Sequence, residues 1–212
     1  FKNGAVFSAK TDNVTVVLEN CTFYACDQSK LTYTGNNSLT NSGAGMCLNL
    51  EKSSHTGVKF IVKNCTFIGE NDNTLSAEGP RYNGDGTQNG TKKRGHAIAI
   101  DAICGGGTGT LDSVLIEGCV IDGVRGNAIQ LYGTTGDITI KDTKINSWAV
   151  NNTGIGYAIR GDFNANGSRT LTLENVYFGL DEVAGNTEFG HVKVGSFSGN
   201  TDGTELKGTY SK

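Results

Sequence analysis

The chain has 212 residues, which suits a single domain over 1–212, with 36% hydrophobic residues and a formal net charge of −3. That charge excludes the basic footprint of a nucleic-acid binder, and no apolar run reaches the length of a membrane span. Its 31 glycines follow no G-X-Y period, which excludes collagen, and its alternating apolar residues exclude a disordered chain.

The opening FKNGAVFSA already reads as a strand, with no signal peptide before it, as in a mature form or a piece of something longer. VTVVLENCTF (14–23) follows, and VKFIVKNCTF (58–67) nearly restates it. DSVLIEGCVI (112–121), GDITIKDTKI (136–145) and RTLTLENVYF (169–178) align with both without gaps. Val16, Phe60, Val114, Ile138 and Leu171 form one apolar column, and Leu18, Val62, Ile116, Ile140 and Leu173 the next. This period of two predicts a strand. Asn20, Asn64, Gly118, Asp142 and Asn175 then share a column of residue types that tolerate left-handed backbone angles. Asn20-Cys-Thr and Asn64-Cys-Thr have the form of glycosylation sequons, but the column identifies both asparagines as bend residues. A short second strand follows each bend, closed by Phe23, Phe67, Ile121, Ile145 or Phe178.

A second family alternates with the first. GMCLNL (45–50), GHAIAI (95–100), GNAIQL (126–131) and GYAIRG (156–161) align on a leading glycine. In this alignment Leu48, Ile98, Ile129 and Ile159 point inward. Asn49, Ala99, Gln130 and Arg160 point outward, and Glu51, Asp101, Tyr132 and Asp162 stand at the strand ends. One repeat is therefore three short strands joined by loops, and no repeat can bury its apolar face without its neighbours. The predicted fold is all-β, a right-handed parallel β-helix of about five coils with long loops.

On these alternating signatures and the asparagine bends, the chain resembles the pectate-lyase-like β-helix superfamily over residues 3 to 194. The resemblance implies an asparagine ladder at Asn20, Asn64 and Asn175, with Asp142 in the same row. It also implies function on the outer face of the first strand of each coil. Asp101, Arg160 and Asp162 would serve a polysaccharide lyase or glycosidase. The carboxylate spacing suits an inverting hydrolase, but of the groups that mark polygalacturonase-type enzymes the chain has Gly95-His96-Ala97 in place of G-H-G, no Asp-Asp pair and no R-I-K.

Glu51, Tyr82, Gln130, Tyr132 and Trp148 are candidate glycan contacts, with Trp148 read first as a core cap. Residues 69–95, the longest excursion, read as a solvated loop, and their N-G-D-G is the one hint of calcium; no other cofactor is expected. No C-x-x-C pair occurs, which argues against structural zinc. Cys21, Cys65 and Cys119 share an inward column and are expected as free thiols. Cys26, Cys47 and Cys104 are candidates for a disulfide, which would suit an extracytoplasmic protein.

The expectation is a non-catalytic extracellular or cell-surface module, stalk-like or adhesin-like. Its partners would be a glycan, another surface protein or further copies of itself, without nucleic acid or membrane insertion. A lyase or glycosidase and a phage tail-fibre component are the alternatives.

Overall fold

The computed structural model describes residues 5–8, 11–24, 46–49, 55–69, 78–82, 88–93, 96–101, 111–124, 126–132, 136–149, 156–163, 169–179, 189–196 and 204–211. Among them the chain is all-β and without helix.

The first sheet contains β1 (Ala5–Ser8), β4 (Met46–Asn49), β9 (Ile98–Asp101), β12 (Ile129–Tyr132), β15 (Gly156–Phe163) and β17 (Phe189–Ser196), paired in that order. The second contains β2 (Thr15–Glu19), β5 (Val58–Lys63), β10 (Leu111–Glu117), β13 (Asp137–Lys141), β16 (Arg169–Phe178) and β18 (Thr204–Ser211). A row of short strands follows its bends: β3 (Thr22–Tyr24), β6 (Thr66–Ile68), β11 (Val120–Asp122) and β14 (Lys144–Ile145). This row joins the second sheet through β16, which runs through the bend and pairs with both β13 and β14.

All of these pairings are parallel, and each strand's partners come from the repeats before and after it. The arrangement is compatible with a parallel β-solenoid. No helix among the described residues is long and apolar enough to cross a membrane.

The register follows the sequence columns in the second sheet. Val16 pairs with Phe60, Phe60 with Val114, Val114 with Ile138, and Ile138 with Leu171. Phe60, Val62, Ile116, Ile138, Ile140, Leu171 and Leu173 are fully buried. In the short-strand row Phe23 and Phe67 stack face to face, with centroids 4.8 Å apart and rings 5° from parallel.

The first sheet corrects one alignment. Ile98, Ile129 and Ile159 share a column as expected, but Met46 stands opposite Ile98 and Leu48 opposite Ile100. The leading glycine therefore does not mark the register of β4. A slip of two residues keeps every side chain on its own face, so the apolar alternation is satisfied either way.

The bend column is left-handed throughout, with φ of 56° at Asn20, 51° at Asn64, 64° at Gly118, 49° at Asp142 and 51° at Asn175. Backbone bonds tie each bend to the next strand, from Asn20 N to Lys63 O and from Asn64 N to Glu117 O. Asn175 Nδ2 donates to Asp142 Oδ1 at 2.8 Å. Gly118 is glycine for two reasons: its positive φ, and Asn64 Oδ1, which would lie 2.5 Å from any added Cβ.

The solvent face of the second sheet carries Glu19, Lys63, Glu117, Lys141 and Glu174 on adjacent strands, one directly beside the next. Glu117 bridges both neighbours, 3.1 Å from Lys63 Nζ and 2.9 Å from Lys141 Nζ. The excursion read as a solvated loop contains an antiparallel hairpin, β7 (Glu78–Tyr82) with β8 (Gln88–Lys93).

Candidate functional site

The register of the first sheet aligns the positions between its apolar columns. Ala99, Gln130, Arg160 and Lys193 stand side by side on β9, β12, β15 and β17. The column two residues further on runs Asn49, Asp101, Tyr132, Asp162 and Gly195. Asn49 therefore takes the place expected for Glu51, which lies outside the described residues. Asp101 and Asp162 flank Tyr132, two strands apart, or roughly 10 Å between backbones. The side chains of these three residues lie outside the described part of the structure, as do Cys26 and Cys104. Cys47 and Tyr82 are placed only by backbone, in β4 and at the end of β7.

Just before the strands, the chain builds a hydrogen-bonded network from one repeat to the next. His96 Nδ1 lies 3.0 Å from Asn127 N and 3.3 Å from Asn127 O, accepting from the first or donating to the second according to its tautomer. Asn127 Oδ1 accepts from Tyr157 N–H at 2.8 Å, and its Nδ2 donates to Gln130 Oε1 at 2.5 Å. Asn127 is 4% exposed, so these bonds replace the water it has lost. Burial, helped by the Arg160 charge, pushes His96 down to about 4 against the pull of its bond with Asn127. The ring is neutral at physiological pH. It is poorly suited to accept a proton as a general base.

Sequence reasoning singled out Gln130 and Arg160 but not His96 or Asn127. The signal was present: three of the four aligned segments carry a polar residue directly after the leading glycine, His96, Asn127 and then Tyr157. Trp148 is not a ligand platform. It is fully buried, with its ring edge-on to Phe178 at a centroid distance of 6.3 Å.

The inward cysteines form a column of their own. Cys21, Cys65 and Cys119 are free thiols, the last two buried and Cys21 partly so. Each donates to the carbonyl two residues back, Glu19 O at 3.4 Å, Lys63 O at 3.2 Å and Glu117 O at 3.4 Å. Thr143 continues the column with the same bond, to Lys141 O at 2.9 Å. Among the described residues no group of three or more His, Cys, Asp or Glu side chains is arranged to hold a metal ion. Compared with known proteins, the chain matches no family model, no curated protein and no solved structure.

Proposed function

We propose that the chain is a non-catalytic, secreted or surface-displayed module, a right-handed β-helix of pectate-lyase-like plan with about five coils. Its stacked coils form a stalk, and the outer face of the first sheet meets a glycan or another surface protein. The observation that carries this reading is the fixed network at His96, Asn127 and Gln130. Its groups are held by backbone and by one another, and its histidine is neutral, which suits recognition by hydrogen bonding better than proton transfer. The row of alternating charges on the second sheet supports the stalk role, since it aligns successive coils.

A second reading keeps Asp101, Arg160 and Asp162 as a lyase or hydrolase group. It is favoured by the placement of both aspartates in one column with Arg160 on the adjacent strand positions. One experiment separates the two. Neutral and acidic polysaccharides are screened for retention and for unsaturated or reducing products, with and without calcium. Retention without products is expected. Products that disappear in Asp101→Asn and Asp162→Asn would overturn the non-catalytic reading.

A further inference from the structure

The solvent face of the second sheet carries a self-complementary pattern of charge. Beside the bends stands the alternating row Glu19, Lys63, Glu117, Lys141 and Glu174. Two residues earlier runs an uncharged column, Val17, Ile61, Leu115, Thr139 and Thr172. Val17 is 52% exposed, and the other four are partly buried. Beyond that column lie Lys59, Ser113 and Asp137, again side by side. A less polar centre between two polar margins is the general anatomy of a protein–protein interface.

A two-fold axis sets such a face against its own copy. An axis lying along the strands keeps each column facing itself and reverses the order of the strands. The alternation then decides where the axis can run. Over β10 it would set Glu117 against Glu117, Lys63 against Lys141 and Glu19 against Glu174, of which every pair is like in sign. Between β10 and β13 it sets Glu117 against Lys141 and Lys63 against Glu174, each pair made twice. Ser113 then faces Asp137, while Leu115 faces Thr139 and Ile61 faces Thr172. Among the described side chains of these columns no like charges meet. An axis along the stack, over the uncharged column, would instead set Lys63 against Lys59.

We propose that this face binds a second copy of the chain, face to face, about a two-fold axis between β10 and β13. The inference is independent of the glycan reading, which concerns the first sheet. The chosen axis overlaps all six strands of the second sheet, from β2 to β18. Six strands and three columns cover roughly 29 Å by 20 Å, or about 1,100 Å² counted over both copies. That is near the lower limit for specific association, so the dimer is reversible rather than permanent. The charges lie at a margin of the face, where they select the partner and its register more than they add affinity.

The test follows the full chain by sedimentation velocity over a concentration series at low and high salt. A reversible monomer–dimer equilibrium is expected, displaced toward monomer by salt. Lys63→Glu creates two like pairs across the axis, as does Glu174→Lys, and each should weaken the dimer about tenfold. The two substitutions together remake both pairs and should restore it. Lys63 and Glu174 stand three strands apart in one chain, roughly 14 Å, so that restoration arises only between copies. Lys63→Glu with Glu19→Lys returns the native net charge but keeps the like pairs, and should stay weakened. Thermal melts verify that each variant is folded. In the native chain, a zero-length amine–carboxyl cross-linker should join Lys63 to Glu174 in the dimer band and not in the monomer band. The proposal is overturned if the native chain stays monomeric at every concentration, or if its dimer lacks that cross-link. It is equally overturned if folded single variants associate as the native chain does, if the Lys63→Glu, Glu174→Lys chain stays weakened, or if the Glu19→Lys control restores association.

Discussion

At the scale of single residues, the backbone angle at the bends explains which side chains are allowed there. A left-handed residue costs roughly 1–2 kcal/mol unless it is glycine, or an asparagine or aspartate that compensates locally. Asn64→Ala should therefore lower stability by about 1–2 kcal/mol and Asn64→Gly by less, measured by urea denaturation. The bend column was readable from sequence because this cost restricts it to three residue types. Ala149 was not readable: its φ is 52°, it is fully buried, and its N–H is held by Gly126 O at 3.0 Å. Alanine carries no left-handed signal, so only the packing around it sets that angle. Ala149→Gly should raise stability by up to about 1 kcal/mol; a loss would mean that the methyl's contacts outweigh the strain.

His96 supplies a pH test at the same scale. In the unfolded chain it takes up a proton near 6.5, but in the folded chain only near 4. Stability should therefore be at its full value above about 6.5 and fall as pH drops toward 4. His96→Gln should flatten that window in thermal melts taken across pH.

At the scale of elements, stacked columns hold neighbouring strands in step. Phe67→Ala removes a fully buried ring and its stacking contact with Phe23, and should cost about 3–5 kcal/mol. The charged row acts on the solvent side. Hydrogen bonds from Lys141 and then Lys63 lower the Glu117 carboxyl below its usual 4.5. That carboxylate contributes stability above 4.5, and the contribution is lost as pH falls through the lowered value. Glu117→Gln should remove this acid-side loss and weaken the dependence of the melting temperature on salt. An unchanged salt dependence would count against the row.

The columns of the second sheet were legible because several apolar positions and a bend align without gaps. The register of β4 was not, because a two-residue slip satisfies the same alternation. Nor was the β7–β8 hairpin: EGPRY and QNGTKK lack alternation, and their pairing rests on backbone bonds.

At the scale of the molecule, each strand meets mainly its neighbours in adjacent repeats, so stability should vary along the stack. Leu18 keeps 7% of its surface exposed and Val17 52%, while Phe60, Val62 and Ile116 keep none. Hydrogen exchange should therefore be slowest in β5, β10 and β13 and faster in β2; uniform protection would contradict a neighbour-by-neighbour stack. The polar face of the first sheet was partly legible as a set of outward positions. Its network was hidden because the bonds from Asn127 to His96 and Tyr157 join residues of different repeats that sequence alone does not bring together. The charged row imposes a rule of parity on how such a chain can change length. Glu19, Lys63, Glu117, Lys141 and Glu174 alternate in sign, so removing the repeat that carries Lys63 would set Glu19 against Glu117. Removing that repeat together with the next would set Glu19 against Lys141. Descendants of this chain should gain or lose repeats in twos.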